Sequence, residues 1–108
     1  MEQVQLCPKF EKAMMLMNKR WTGLIIYQLL FGPQRFSEIE SALPISGRLL
    51  SERLKELEEE NIVTRKVFAE VPVRVEYSLT EKGKDLEPVI KAIQNWSDKW
   101  VNPLEENN

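Results

Sequence analysis

Histidine is absent from this chain of 108 residues, and cysteine occurs once, at Cys7. Without histidine the chain cannot build a Cys–His catalytic pair, and a metal ion has few ligands to bind. A single cysteine also excludes disulfides within the chain. Only four glycines occur, and none belongs to a phosphate-binding or dinucleotide-binding loop. Since carboxylate pairs such as Glu58 and Glu59 lie in a solvated charge run, we expect no enzyme, no metal site and no cofactor.

Long apolar runs are absent as well. No segment of about 18 apolar residues occurs, so we expect no membrane span. The beginning, MEQVQLCPKFEK, lacks the apolar segment behind a basic start that marks a secretory signal, which predicts a cytoplasmic location. The length predicts a single domain over residues 1–108, and the apolar content of 43% is enough for a modest core.

The net charge of −2, from 15 basic and 17 acidic side chains, argues mildly against binding of nucleic acid. The charges are unevenly distributed, however. Acidic residues cluster at Glu56, Glu58, Glu59, Glu60, Glu105 and Glu106, whereas basic residues cluster at Arg48, Arg53, Lys55, Arg65, Lys66 and Arg74. Because binding depends on the local balance of charge, the second group is compatible with DNA.

The first half of the chain predicts two helices. Residues 8–17 form the first, since Pro8 suits the first helical position, where its missing N–H costs nothing. Residues 19–31 form the second, which is apolar nearly all round and is therefore expected at the buried centre of the domain. Gly32 and Pro33 end it.

Two more helices follow, separated by Pro44. Ser37 and Glu40 fit a capping box and predict a short helix over residues 37–42. Ser46 suits the N-cap of a longer helix that continues to about Glu60. The apolar stripe of this longer helix consists of Leu50, Leu54 and Leu57, and its outer face consists of Ser46, Arg48, Ser51, Glu52 and Lys55.

The remaining chain predicts a hairpin and a long final helix. Residues 62–69 and 74–79 are rich in Val, Thr, Phe and Tyr, as strands are, and Pro72 belongs to the connection between them. Thr80 caps the last helix, which runs to about Val101. Pro88 should kink or split this helix near Glu87.

A short helix, a second helix with a polar outer face and a hairpin together form the pattern of a winged helix-turn-helix. We expect a mainly α fold with a small antiparallel β-hairpin. The major groove of B-DNA admits one α-helix, and the outer face of the 46–60 helix supplies donors near its N-terminus. Arg48 is expected to contact guanine or phosphate, and Lys55 a phosphate. The alternative is a surface helix whose charged face is merely solvated.

The hairpin adds three basic candidates for DNA contact. Arg74 lies just past the hairpin tip, where a guanidinium can enter the minor groove. The alternative for Arg74 is an ion pair with Glu76 or Glu70, and the two interpretations weigh about equally. Lys66 and Arg65 are weaker candidates, because lysines at a strand edge also prevent edge pairing.

The first and last helices predict a homodimer. The last helix carries an apolar face too large for a domain of this size to cover, made of Val89, Ile93, Trp96 and Trp100. The first helix contributes Phe10, Met14 and Met17, although these methionines could equally be plain core. A symmetric dimer places two groove helices about 34 Å apart, so we expect a near-palindromic operator in double-stranded DNA.

Several segments carry a resemblance to a known family, and they span residues 7–100: CPKFEKAMMLMNKRW, RFSEI, ISGRLLSERLKELEEENIVTRKVF, EVPVRVEYSLTEKGKDL and LEPVIKAIQNW. The chain resembles the HxlR-type winged-helix transcriptional regulators, relatives of the MarR regulators. The resemblance implies a dimeric DNA-binding repressor or activator, with dimerisation helices over 7–17 and 80–101 and a DNA-binding part over 37–79. The chain departs from the family pattern at Val73, where a second proline is common, and at Asn18-Lys19, where two glycines are common.

The family also commonly carries Cys-Pro near its N-terminus, here Cys7-Pro8, and several members look like thiol-based sensors. Cys7 is expected at the N-cap of the first helix, where the partial positive charge of the helix end stabilises a thiolate. Thiolates react with quinones, aldehydes and peroxides. The alternatives are an inert small residue at Cys7 and, for the whole chain, a winged helix that binds a protein instead of DNA. The small-molecule or oxidant effector is unknown.

Overall fold

The computed structural model describes residues 7–105. The remaining residues of the predicted domain, 1–6 and 106–108, lie outside the described part. Residues 1–6 are the first half of the segment on which the absence of a secretory signal was predicted. The elements in chain order are α1 (Pro8–Met17), α2 (Thr22–Leu29), β1 (Gln34–Arg35), α3 (Phe36–Ala42), α4 (Gly47–Glu59), β2 (Val63–Phe68), β3 (Arg74–Leu79), α5 (Glu81–Lys84), α6 (Glu87–Trp100) and a short 3-10 turn (Pro103–Glu105). The predicted mainly helical fold with a small antiparallel β-hairpin is confirmed, and β1 adds a third strand that the sequence did not predict.

The core forms where α2, α3 and α4 pack against the sheet. Ile25 and Ile26 of α2 and Ile39 of α3 are fully buried, and they meet the predicted apolar stripe of α4. That stripe, Leu50, Leu54 and Leu57, is also buried. The prediction that the second helix lies at the centre of the domain is therefore confirmed.

The second helix is shorter than predicted, because the chain leaves helical geometry at both ends. Trp21 has a φ of 78°, so Lys19 and Arg20 belong to a tight turn rather than to α2. At the other end, Gly32 has a φ of 127°, a conformation that side chains other than glycine rarely adopt.

The start of the third helix differs from the prediction. Arg35 is the N-cap, and the carboxylate of Glu38 accepts a hydrogen bond from the Arg35 backbone N–H at 2.7 Å. The predicted capping box of Ser37 and Glu40 is wrong, because both residues lie inside α3. The cause is β1, a strand of two residues that holds the chain extended up to Arg35. Such a short strand has no apolar alternation by which the sequence could show it.

The sheet has three antiparallel strands in the order β1-β3-β2. Glu76 of β3 lies opposite Arg35 of β1 and opposite Lys66 of β2. Since side chains of directly paired residues share one face of a sheet, these three charges lie in one row. The β2–β3 hairpin is the predicted wing.

The predicted split of the final helix near Glu87 is confirmed. Thr80 caps the short α5, with its Oγ1 accepting a hydrogen bond from the N–H of Gly83 at 3.1 Å. The same hydroxyl donates to the carbonyl oxygen of Asn61 at 2.6 Å, which ties α5 to the end of α4. Pro88 then lies in the first turn of α6, where proline is tolerated.

The first and last helices project from this core. No residue of α1 is buried, and Ile90 is the one buried residue of α6. The radius of gyration is 16.3 Å, compared with about 13 Å for a compact domain of this length. Both helices therefore present faces that the rest of the described chain leaves uncovered.

Candidate nucleic-acid interface

The N-terminus of α4 begins at the predicted residue. The Oγ atom of Ser46 accepts a hydrogen bond from the N–H of Leu49 at 3.2 Å, so Ser46 is the N-cap. Gly47 follows, and a Cβ atom at this position would lie 2.7 Å from Oε2 of Glu40. That oxygen is the end of an exposed, flexible side chain, so Glu40 can move aside and the contact does not by itself require glycine at this position.

The outer face of α4 is exposed along its whole length, at Ser46, Arg48, Ser51, Glu52 and Lys55. The Arg48 side chain is 92% exposed, and its Nε lies 3.5 Å from Oε2 of Glu52, one helical turn away. An exposed ion pair of this kind contributes about 0–1 kcal/mol. Arg48 can therefore leave Glu52 at little cost when an anion approaches the outer face.

Arg74 is held within the hairpin. Its guanidinium lies 2.8 Å from Oε2 of Glu70, pairs also with the carboxylate of Glu76, and stacks 3.8 Å from the ring centroid of Phe68. The hydrogen bond from Arg74 lowers the pKa of Glu70 below its usual value of 4.5, with a smaller contribution from Arg35. The alternative interpretation predicted an ion pair of Arg74 with Glu70 or Glu76, and the structure shows ion pairs with both.

Four cations of α4 and the sheet form no ion pair with any residue of the described part of the chain. They are Arg35 on β1, Lys55 on α4, and Arg65 and Lys66 on β2. The sheet register places Arg65 on the opposite face from Lys66 and Arg35. Lys55 and Arg65 line a cleft between α4 and the sheet, together with Ser51, Tyr77, Glu58 and Glu59. Lys66 lies beside Phe68, with Nζ 5.6 Å from the ring centroid. The positive charge available to an anion therefore comes mainly from β1, β2 and α4.

Arg53, which the sequence grouped with the basic residues of the groove helix, turns away from the outer face. Its Nε donates a hydrogen bond to the carbonyl oxygen of Arg20 at 2.9 Å, and its Nη1 lies 3.3 Å from Oε1 of Glu56. Glu56 also pairs with Lys19 at 3.0 Å. An Arg–Glu pair three residues apart is readable from sequence, but nothing in the sequence indicates a bond to the Arg20 carbonyl.

The predicted dimerisation residues lie on the uncovered faces of α1 and α6. Trp96 and Trp100 are 61% and 65% exposed, and Phe10, Met14, Val89 and Ile93 are exposed as well. Met17 differs, since it is partly buried and packs against the core. This agrees with the alternative that the methionines of the first helix are plain core. A groove of about 730 Å³ runs between α1, α2 and α6, and Met14, Trp21 and Ile93 line it.

Cys7 lies at the N-cap of α1, as the sequence predicts. Its side chain is exposed, its backbone is extended, and Pro8 follows at the first helical position. The thiol makes no capping hydrogen bond, so it remains accessible to a reagent from solvent.

Residues 16–105 match the model of a protein family described as HxlR-like helix-turn-helix. The chain belongs to the HxlR-like family. Among its relatives, the HTH-type transcriptional regulator YvaP of Bacillus subtilis is 59% identical over 104 residues, which cover 95% of this chain and 96% of YvaP.

Solved structures of YodB, a B. subtilis transcriptional regulator of the same kind, match closely. The reduced form superposes with a TM-score of 0.81 at 51% identity, covering 92% of this chain and 98% of YodB. The quinone-bound form superposes with a TM-score of 0.77 at 49% identity, covering 88% of this chain and 100% of YodB. The fold is therefore that of winged-helix transcriptional regulators of the HxlR and MarR type.

Among residues 7–105, no group of three or more His, Cys, Asp and Glu side chains is placed to hold a metal ion. No helix in that range is both long enough and apolar enough to cross a membrane. At Asn18-Lys19, where this chain departs from the family pattern, α1 ends and the side chain of Lys19 pairs with Glu56 on α4.

Proposed function

We propose that this protein is a dimeric, sequence-specific DNA-binding transcriptional regulator whose activity responds to an oxidant or electrophile through Cys7. The observation that carries the DNA-binding part is the exposed outer face of α4 beside a cleft with Lys55 and Arg65, two cations that form no ion pair within residues 7–105. Phosphate contacts supply much of the affinity of such proteins, whereas base contacts supply specificity.

The outer face of α4 enters the major groove. Arg48 exchanges its weak pair with Glu52 for the edge of a guanine or for a phosphate. Glu52, once released, can accept a hydrogen bond from a cytosine amino group. Ser46 and Ser51 supply hydroxyl groups on the same face.

The strand of phosphates between the major and minor grooves lies against the cleft between α4 and β2. Lys55 and Arg65 face this cleft and form no ion pair with any other residue between 7 and 105, which supports their assignment as phosphate contacts. Lys66 and Arg74 lie on the hairpin beside the minor groove. Because Arg74 is already paired with Glu70 and Glu76, its main contribution is to neutralise carboxylates that would otherwise repel phosphate.

The dimer forms through α1 and α6. The exposed apolar side chains of both helices, above all Trp96 and Trp100, are of the type and extent that monomeric proteins rarely leave in water. A symmetric dimer presents two copies of α4 to successive major grooves, so the operator is near-palindromic.

Cys7 is the sensing residue. It is exposed at the end of a helix on which no residue is buried, so a modification at this position can be accommodated without disturbing the core. The existence of a quinone-bound form of the relative YodB supports quinone-type electrophiles as the chemical class of effector. A quinone adds to the Cys7 thiolate and forms a thioether, whereas a peroxide takes two electrons and two protons from Cys7 and a second thiol, which belongs to a small molecule or to the other subunit, and leaves a disulfide and water. Either product alters the dimer and releases DNA.

Selection of bound genomic fragments, followed by titration of the selected DNA at several salt concentrations, tests this proposal. The affinity should fall steeply with salt, and Lys55→Ala or Arg65→Ala should each lower the salt slope by about 1. Lys84→Ala on α5, outside α4 and the hairpin, is the matched control and should leave the slope unchanged. If no fragment is enriched and binding lacks salt dependence, the alternative of a protein-interaction module, which the net charge of −2 favours, replaces this proposal.

A further inference from the structure

Arg53 and Glu56 occupy a side of α4 that neither faces the core nor belongs to the outer face. Arg53 is only 15% exposed although it lies on a surface helix. Its Nε donates to the carbonyl oxygen of Arg20 at 2.9 Å, across 33 residues of sequence. Glu56 accepts from Arg53 and, at 3.0 Å, from Lys19. This set of contacts, here named the α4 clamp, joins α4 to the turn between α1 and α2.

The clamped turn has an uncommon backbone conformation. Trp21 adopts a φ of 78°, in the left-handed region that is costly for a large side chain. Such a conformation persists when the surroundings hold it in place. Here the Arg20 guanidinium lies 4.9 Å from the Trp21 ring centroid, and the Arg20 carbonyl is held by Arg53. The hydrogen bond from the N–H of Thr22 to the carbonyl oxygen of Lys19, at 3.2 Å, closes the turn.

The direction of α1 depends on this turn. No residue of α1 is buried, and only Leu16 and Met17 at its C-terminal end pack against the core. A helix of ten residues is about 15 Å long, so a rotation of about 10° at the turn displaces its far end by about 2.6 Å. The α4 clamp therefore restrains the direction of α1, whose far end carries Cys7.

We infer that Arg53, assisted by Glu56, is a positioning residue that fixes the angle between α1 and α4 and thereby sets the half-site spacing that the dimer binds. This inference rests on the proposed function. In a dimer joined through α1 and α6, the angle within each subunit determines how far apart, and in which relative orientation, the two copies of α4 lie.

Half-site spacing is a sensitive measure of that angle. One added base pair moves the second half-site by about 3.4 Å and rotates it by about 35° around the DNA axis. A rigid dimer binds an operator with altered spacing weakly. A dimer with a loosened α1–α2 turn can change the distance between its two copies of α4 and loses less affinity. Loss of rigidity thus appears as tolerance of wrong spacing, which a general loss of stability does not produce.

The first experiment measures the affinity of the dimer for operators in which the spacing between half-sites is changed by one base pair in either direction. The unaltered protein should show a clear optimum. Arg53→Ala should reduce the affinity difference between best and altered spacing by roughly 2- to 30-fold. Arg53→Lys should lose most of the positioning effect, because lysine lacks the planar guanidinium whose Nε reaches the Arg20 carbonyl while its Nη1 reaches Glu56.

Lys82→Ala is the matched control. Lys82 also donates from a cationic side chain to a distant backbone carbonyl, that of Glu60, at 2.7 Å. It ties α5 to the end of α4 and makes no contact with the α1–α2 turn. This variant should keep the spacing optimum of the unaltered protein, even if its stability falls by a similar amount.

A second experiment measures the same angle without DNA. Spin labels are attached at Cys7 and at Glu59→Cys, the exposed last residue of α4, and labelled chains are mixed with an excess of unlabelled Cys7→Ser chains. The distribution of distances between the labels should broaden or shift in Arg53→Ala and remain unchanged in Lys82→Ala. If Arg53→Ala does not fold, Glu56→Gln, which retains the bond between Arg53 and Arg20, should give a smaller change in the same direction.

The results separate the inference from the proposed function. A uniform loss of affinity at all spacings, together with an unchanged distance distribution, overturns the positioning role of Arg53. Absence of operator binding by the unaltered protein overturns the proposed function, and the distance measurement then still decides whether Arg53 fixes the angle of α1.

Discussion

The Nη2 atom of Arg74 lies 2.8 Å from Oε2 of Glu70, so the arginine nearest the hairpin tip is already paired before any DNA arrives. The ion pair with Glu76 and the stacking on Phe68 also restrain the position of the guanidinium. The tip of the hairpin therefore carries an arginine held by two carboxylates rather than a free positive charge, and the cations of the hairpin that form no ion pair within residues 7–105, Arg65 and Lys66, lie on β2. Arg74 and its neighbouring carboxylates consequently have to be tested together.

Arg74→Ala should weaken operator binding, because Glu70 and Glu76 are then left unneutralised near the phosphates. Glu70→Gln and Glu76→Gln introduced into that variant should restore most of the affinity. Fluorescence anisotropy with a labelled operator measures both effects. If the added glutamines do not restore binding, Arg74 contacts DNA directly and the neutralising role is wrong.

The carboxyl group of Glu70 should titrate below its usual pKa of 4.5, because the hydrogen bond from Arg74 favours the charged form. Since the folded-state pKa is lowered, the stabilisation by this pair is fully present above the usual value and is lost as the pH falls through the folded-state value. NMR titration of the side-chain carboxyl carbon measures the pKa. In Arg74→Ala the titration should return toward the usual value, whereas in Lys66→Ala it should remain low.

Gly83→Ala should destabilise the domain. An added Cβ atom would lie 2.3 Å from the backbone carbonyl oxygen of Ile62 and 3.0 Å from Cδ2 of Leu79, and the carbonyl cannot move aside without disturbing β2. We expect a loss of about 1–3 kcal/mol in the free energy of unfolding, measured by urea denaturation.

Gly23→Ala is the matched comparison for Gly83→Ala. An added Cβ atom at position 23 meets only Cε of Met17, at 3.9 Å, which is an ordinary contact. Because Gly23 lies within α2, alanine should leave stability unchanged or raise it by up to about 1 kcal/mol. Equal destabilisation by both substitutions would contradict the packing described for α5.

Ile93→Asp should convert the proposed dimer to a folded monomer. Ile93 is 55% exposed in the single chain, so an aspartate costs little there but brings a charge into the apolar interface of a dimer. Analytical ultracentrifugation reports the mass, and circular dichroism reports whether the monomer is folded. Lys91→Ala, on the same helix but in an exposed pair with Glu87, should remain dimeric. A dimer that persists in Ile93→Asp places the interface elsewhere.

Cys7→Ser should abolish the release of operator DNA by diamide or a quinone while leaving the affinity without reagent nearly unchanged. The reason is that Cys7 is the sole thiol of the chain and is the N-cap of α1, whereas the proposed DNA contacts belong to α4 and the hairpin. Gel-shift titration with and without reagent measures release, and mass spectrometry identifies the adduct. Release that continues in Cys7→Ser removes the thiol from the sensing mechanism.

Local signals in the sequence were sufficient for most of the secondary structure. Ser46 accepts the expected capping bond at the start of α4, Leu50, Leu54 and Leu57 are buried, and Pro88 divides the final helix. The start of α3 was predicted wrongly, because the pairing of β1 with β3 fixes it and the two partners lie about 40 residues apart in sequence.

The sequence by itself determined the winged-helix pattern, the outer face of α4 and the apolar faces of α1 and α6, because side-chain periodicity and capping act over a few residues. Only the tertiary structure decided which charges remain available. It paired Arg74 with Glu70 and Glu76, turned Arg53 toward the Arg20 carbonyl, and left Lys55 and Arg65 beside one cleft without an ion pair in the described part of the chain. The physical reason is that an ion pair or a hydrogen bond depends on distances of a few ångströms between elements, and such distances are set by packing.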